Sequence, residues 1–182
     1  RQRQVAVVYF VGFAGFTMLY GAMLTFLPFL LEQRFATSSA VIGLVFGASA
    51  IASAGGSMFL GRLAQCIRPK FILLAGVTAM AAGLATIPFG GAVWMITLSS
   101  ALFGAGHGLA ISMSQVVLAN ATTAETRGAV MALNGMMFRL AQTLGPLAMA
   151  VVLAAGGLNW VYWGGATFGV VALAILATAM RR

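Results

Sequence analysis

The sequence predicts an all-α, polytopic membrane protein of six transmembrane helices. Three observations carry that expectation. The 182 residues are 62% hydrophobic and only 7% charged, against roughly 25% charged in soluble domains, so the chain has too little polar surface to cover itself in water. Six apolar runs are each long enough to cross a hydrocarbon core that needs about 20 helical residues. Apart from Arg139, the charges fall in the short gaps between those runs, in the first turn of a run or at the chain ends. Helix is the state expected for each run, because an open strand in lipid leaves its backbone N–H and C=O groups unpaired.

The runs lie at about 5–31, 40–61, 70–88, 92–119, 124–154 and 159–180. Pro28 in helix one and Pro146 in helix five each remove a backbone hydrogen bond and predict a kink. Ser38 and Ser39 suit the start of helix two. Pro69 suits the first turn of helix three, and Pro88 ends it. Thr122-Thr123-Ala124-Glu125 reads as a capping box for helix five, with Thr122 and Glu125 satisfying each other's free backbone donors. Asn159 is placed to cap helix six. The connectors are short, with no linker, soluble domain or low-complexity segment. The 23 glycines suit close-packed membrane helices, where small residues let backbones approach.

Several function classes are excluded. A net charge of +8 does not mark a nucleic-acid binder, because such proteins gather Lys and Arg on a soluble face. The single Cys66 leaves no internal disulfide and no cysteine cluster for zinc. A membrane hydrolase needs a nucleophile beside a base, or a metal cluster, at one depth. One histidine, no membrane acid and one loop cysteine supply neither, so the chain is read as a non-enzyme with no cofactor or metal. The opening Arg1-Gln2-Arg3-Gln4 leads into an apolar run too long for a signal-peptide core. The missing initiator Met is what a fragment would show.

Basic residues orient the helices. Arg1, Arg3, Arg62, Arg68, Lys70, Arg127, Arg181 and Arg182 fall on one side and only Arg34 on the other, which predicts that both termini are cytoplasmic. Arg139 belongs to neither set. It lies 12 residues past Arg127, roughly 18 Å along a helix rising 1.5 Å per residue, near the midplane of a core ~30 Å thick. The only acids, Glu32 and Glu125, are in loops on opposite sides. A charge at that depth faces a cavity or a partner, which makes Arg139 the leading candidate to meet a substrate; a structural pairing to carbonyls or to a carboxylate outside this chain is the alternative. His107, set among Gly104, Gly106 and Gly108, has a matching depth in helix four. It can take a substrate hydrogen bond or a proton, or simply bond a neighbouring helix.

Polar residues recur at helical spacing around these two. Ser100, His107 and Ser114 share a face of helix four. Gly135, Arg139, Gln142, Thr143 and Pro146 share one of helix five. Thr17, Tyr20, Gly21 and Pro28 form a stripe in helix one, with Phe13 a turn earlier, and Ser49, Ser53 and Ser57 form one in helix two. Such stripes turn away from lipid, so Thr17, Tyr20, Ser100, Ser114 and Gln142 join His107 and Arg139 as cavity candidates. Gly104 and Gly108, Gly43 and Gly47, and Gly145 beside Pro146 are expected to serve packing or kinks, like Pro28. Helices three and six carry weaker stripes and look peripheral.

Two stretches resemble the major facilitator superfamily. Gly61-Arg62-Leu63-Ala64-Gln65-Cys66-Ile67-Arg68-Pro69-Lys70 is similar to the family's loop Gly-x-Leu-Ala-Asp-Arg-x-Gly-Arg-Lys, keeping Gly61, Leu63, Ala64 and Lys70 but replacing the Asp with Gln65. The gating role of that Asp therefore does not carry over. Gly104-Ala105-Gly106-His107-Gly108-Leu109 resembles the glycine-rich middle of the family's helix ten. Ala124-Glu125-Thr126-Arg127-Gly128 resembles the start of helix eleven, and Met131-Ala132-Leu133-Asn134 with Arg139, Gln142, Gly145 and Pro146 resembles its body in bacterial efflux-type members.

The resemblance covers essentially the whole chain. It implies the C-terminal half of a twelve-helix transporter, itself built as a 3+3 inverted repeat, in which helices one and four line a cavity and helices two and five flank it. It further implies alternating access at a midplane site. The expected function is proton-coupled efflux of a drug or metabolite from the bacterial plasma membrane. The alternatives are an organic-anion uptake carrier, with Arg139 as counter-charge, and a non-transporting membrane scaffold. The expected partners are a small-molecule substrate, membrane lipid, protons and the N-terminal six-helix half.

Overall fold

The computed structural model describes residues 2–179. Arg1, Arg181 and Arg182, counted above on the basic side, and the last position of the sixth run lie outside them. Six helices follow one another: α1 (Arg3–Phe35), α2 (Ser39–Cys66), α3 (Pro69–Phe89), α4 (Val93–Ala121), α5 (Ala124–Gly156) and α6 (Leu158–Ala179). Each is long and apolar enough to cross a membrane, and no strand occurs among the described residues. The fold is all-α and polytopic.

Two hydrogen-bonded ties establish the up-and-down course of the chain. At one end Arg34, in the last turn of α1, donates to the Pro88 and Gly90 carbonyls at 3.1 Å each and to Asn159 Oδ1 at 3.0 Å. It thereby joins the end of α1 to the α3–α4 and α5–α6 connections. At the opposite end Lys70 Nζ, in the first turn of α3, donates to the Ala177 carbonyl in the last turn of α6 at 2.9 Å, where the helix dipole favours a cation.

The helix pairing has a repeat in it. α4 packs on α2, α3 and α1; α1 packs on α5, α6 and α4; α3 packs on α6. Exchanging α1 with α4, α2 with α5 and α3 with α6 leaves that scheme unchanged, although α5 also packs on α6 where α2 and α3 barely touch. Helices three apart run in opposite directions, so the repeat is inverted. α3 and α6 are more than peripheral, because they pack on each other and back the central pair. The least covered helices are α2 and α5, with 11% and 17% of an apolar 18-residue stretch buried against 39–56% for the other four.

Glycine sets the closest approaches. A Cβ on Gly104 would run into the Ser49 carbonyl, and one on Gly108 into the Ser53 carbonyl, so α2 lies backbone to backbone on α4. Gly43 and Gly47, expected to pack as a pair, have no atom within 4 Å of where a Cβ would stand. They lie on the open side of α2.

The helix ends depart from the sequence reading in three places. α2 continues to Cys66, so Gly61, Arg62, Leu63 and Gln65 form its last turns rather than a loop, and the turn proper is Ile67–Arg68. Leu60 is buried and Leu63 packs on the core, which keeps the inner face of α2 engaged beyond its apolar run. The capping box of α5 lies one residue later than expected: the Thr126 hydroxyl accepts from the Thr123 backbone N–H at 3.2 Å, and the two side chains meet at 3.1 Å. The Thr122 hydroxyl is already spent on the Leu118 and Ala119 carbonyls at the end of α4. Asn159 does not cap α6. Gly157, at φ 81°, turns the chain in a single residue, a backbone conformation that suits glycine, and Asn159 instead accepts from Arg34.

Helix α1 is not uniformly α-helical. Thr17–Leu24 winds as a π-helix, a wider coil associated with functional positions. Within it the Tyr20 carbonyl accepts from the Thr25 hydroxyl at 2.6 Å, one turn before Pro28. α5 stays α-helical through Pro146.

Candidate functional site

Half-way along the helices the bundle opens into a cleft of about 330 Å³ between α1, α2 and α4. His107 is on its wall. It stands at the centre of α4, fourteen residues from Val93 and fourteen from Ala121, and the π-helical stretch of α1 lies at the same depth. Leu19, Met23, Phe46, Ala50 and Phe103 make the apolar walls, while Ser49 and Ser53 share the α2 side.

An aromatic cluster holds the imidazole in place. The His107 ring lies 6.2 Å from Phe103, nearly parallel to it at 17°, and 5.6 Å from Phe16. Phe16 in turn stacks on Phe138 of α5 at 4.1 Å and 13°, and on Tyr20 at 6.0 Å. α4 and α5 touch little, so the Phe16–Phe138 stack is what bridges them. The position of Phe138 explains why Gly12 is a glycine: a Cβ there would come within 2.6 Å of the Phe138 ring. His107 Nε2 is buried without a hydrogen-bond partner, an arrangement that costs free energy unless something pairs with it.

The other sequence candidates separate. Tyr20 belongs to the aromatic cluster. Thr17 is buried in the α1–α5 seam, where its backbone packs on Gly145, and its hydroxyl has no partner. Ser100 is fully buried away from the cleft with an unpaired hydroxyl. Ser114 is fully buried and donates to the Ala110 carbonyl of its own helix at 2.7 Å. The seven-residue spacing placed Ser100, His107 and Ser114 on one face, yet only His107 lies at the height of the cleft. Phe13 packs edge-on against Phe168 of α6, away from it.

Arg139 lies close to the centre of α5, fifteen residues from Ala124 and seventeen from Gly156. Its side chain is exposed and forms no ion pair or hydrogen bond among the described residues; its carbonyl accepts from Thr143 at 3.1 Å. α5 has three faces. Asn134, Ala141, Gly145 and Met149 are buried. Leu133, Leu140, Leu144 and Leu147 form a large apolar face that is exposed. Arg139 stands on the third, with Gly135, the half-buried Gln142 and Pro146. It does not line the His107 cleft, and the Phe16–Phe138 stack lies between α4 and α5.

Two polar cleft residues were not singled out from sequence as site residues, although the four-residue spacing of Ser49, Ser53 and Ser57 was visible. Ser57 is used differently, donating to the Gly108 carbonyl at 3.3 Å and accepting from Ser112 at 2.9 Å. The apolar walls carry no sequence signal, since Leu19 or Phe46 reads like any other apolar residue in a membrane helix.

A bundle built as an inverted repeat, with a largely apolar cleft carrying a few polar groups at mid-depth beside its two central helices, has the architecture of a carrier. No curated protein matches the chain. A family profile does match it, over residues 5–182, and on that match the chain belongs to the Major Facilitator Superfamily.

Proposed function

We propose that this bundle is the C-terminal half of a twelve-helix permease that moves a small molecule across a bacterial plasma membrane by alternating access, outward and coupled to protons. The observation that supports this reading best is the cleft itself. It opens at the middle of α4, beside the π-helical stretch of α1, on the side where α2 is uncovered. The other half of the permease would close over the open faces of α2 and α5, where Gly43, Gly47, Gly128 and Gly135 meet no neighbour and a second helix can approach closely. The end bearing Arg62, Arg68, Lys70 and Arg127 is cytoplasmic in this reading. No carboxylate of this chain lies within a helix at mid-depth, so the coupling acid belongs to the other half, with His107 the one local titrating group.

The test is transport by the protein made from its full reading frame, reconstituted in proteoliposomes under an imposed pH gradient. Ethidium, naphthalene-2-sulfonate and 2-naphthol serve as cationic, anionic and uncharged probes. Gradient-dependent flux of at least one, abolished by a protonophore, is the expected result. Flux of none of them, or flux indifferent to the gradient, overturns the proton-coupled reading.

A second reading, an organic-anion carrier, rests on the exposed and unpaired Arg139 at the middle of α5. It requires naphthalene-2-sulfonate flux that falls at least tenfold in Arg139→Ala. Anion flux unchanged by that substitution removes it.

A further inference from the structure

We infer that the cleft between α1, α2 and α4 binds an uncharged ligand of one or two rings, whose polar edge is held by the Ser49 and Ser53 hydroxyls and the His107 imidazole. The inference rests on the transport reading for the purpose of the site, and on the chemistry of the cleft for its occupant.

Free hydroxyls and the cleft coincide at this wall: Thr17 and Ser100 are also unpaired, but neither lines the cleft. A serine or threonine within a helix ordinarily donates to the carbonyl one turn back. Thr86, Thr97, Ser114, Thr143, Thr167 and Thr178 all do so here. Ser57 reaches across to α4 instead. Ser49 and Ser53, two turns and one turn before it on the same face, do neither and form no side-chain hydrogen bond among the described residues, although both line the cleft. Opposite them is His107, whose ring forms part of the α4 wall of the cleft. Three side chains able to donate or accept thus line one small space, and none forms a side-chain hydrogen bond among the described residues. Few convergent polar groups in an apolar recess are what fixes the orientation of a small ligand.

Charge narrows the class. No Asp, Glu, Lys or Arg lines the cleft. An ion placed there would lose hydration without gaining a counter-charge from this bundle, which is costly at mid-depth in a membrane. Arg139 does not offset this for an anion, because neither it nor any other residue of α5 lines the cleft. Size and shape narrow it further. A space of about 330 Å³ is at the small end of ligand sites, which span roughly 300–1,000 Å³. Leu19, Phe46 and the His107 ring are half-buried and Leu24 is exposed, so the body of a flat ligand has apolar side chains from α1 and α2 to lie against.

The experiment uses the protein from its full reading frame in lipid nanodiscs at pH 7, with equilibrium dialysis against protein-free discs to subtract partitioning. The probes are 2-naphthol, 2-methylnaphthalene, naphthalene-2-sulfonate and N-methylquinolinium, which share the two-ring body and differ in polar edge or charge. The wild type is expected to hold 2-naphthol at least tenfold more tightly than 2-methylnaphthalene, since each neutral hydrogen bond contributes about fivefold. Neither ion is expected to bind above the protein-free control. Ser53→Ala and His107→Leu should each reduce the naphthol preference about fivefold, with 2-methylnaphthalene affinity unchanged as the sign that the cleft is intact. His107→Gln, which keeps a donor and an acceptor, should retain most of the preference.

Equal affinity for 2-naphthol and 2-methylnaphthalene in the wild type overturns the inference. So does tighter binding of either ion, or a preference that survives both Ser53→Ala and His107→Leu. A naphthol preference lost in these variants but without transport in proteoliposomes supports this site and overturns the transport reading. Transport with a preference that both substitutions spare does the reverse.

Discussion

Replacing Gly108 by alanine tests whether the backbone-to-backbone seam between α2 and α4 supports the cleft. A Cβ at position 108 would drive into the Ser53 carbonyl oxygen, and would stand 2.8 Å from its carbonyl carbon and 3.0 Å from Ser53 Cα. Ordinary contact begins at 3.4 Å, so the carbonyl carbon must retreat by at least 0.6 Å and the oxygen by more. These are backbone atoms of a helix, so the movement is of α2 as a whole and not of a flexible side chain. Overpacking of this kind costs about 1–3 kcal/mol. The gain in helix propensity on going from glycine to alanine, up to about 1 kcal/mol, offsets part of it. The net expectation is a loss of about 1–2 kcal/mol. Because α2 has its principal contacts with α4 alone, the loss should be accompanied by a wider cleft and weaker 2-naphthol binding. Gly55→Ala is the matched control, since a Cβ there meets nothing within 4 Å. The assay is reversible unfolding of the purified protein in mixed micelles of increasing SDS fraction, followed by circular dichroism. Gly108→Ala as stable as Gly55→Ala would refute the reasoning, because it would mean the seam yields freely.

Other consequences can be measured in the same preparation. Arg34→Ala removes three hydrogen bonds at an exposed site, so a loss of about 1–2 kcal/mol is expected; Arg34→Lys should not restore it, because an ammonium cannot reproduce the fork that spans two carbonyls and an amide. Tyr9→Phe deletes the 3.0 Å bond from Tyr9 to the Val130 carbonyl and should cost about 1 kcal/mol, read as a lower unfolding midpoint. Ala36 ends α1 at φ 48°, a left-handed conformation that disfavours a side chain by about 1–2 kcal/mol; Ala36→Gly should therefore be neutral to about 1 kcal/mol more stable, whereas a loss would contradict that local strain. Cys66 is the one cysteine and is exposed, so a membrane-impermeant maleimide should label it in inside-out vesicles and leave it unlabelled in right-side-out ones. The opposite pattern would reverse the proposed orientation.

The helices were legible in the sequence because lipid imposes a single requirement on every run: length and apolarity enough to cross, with all backbone groups paired internally. That requirement is local, so it could be read run by run. The mid-depth positions of His107 and Arg139 were legible for the same reason, since depth follows from counting residues along a regular helix. Their surroundings were not. Periodicity grouped Ser100 and Ser114 with His107, but a shared face says nothing of which stretch of that face a neighbour covers, and packing buried both serines away from the cleft. The small-residue pairs show the same limit. Gly104–Gly108 and Gly43–Gly47 are alike in sequence, yet the first pair lies against Ser49 and Ser53 and the second faces open space.

The sequence by itself determined the class of solvent, the number of crossings, the basic end and the want of a buried carboxylate, all of which depend on residue type and spacing alone. The tertiary structure decided which hydroxyls are spent and which are free, that Phe16 bridges α4 to α5, that Asn159 receives Arg34 rather than capping α6, and that His107 and Arg139 occupy different faces. Those outcomes depend on how far apart two helices stand and how each is rotated about its axis. Both are set by contacts summed along whole helices, which no single stretch of sequence contains.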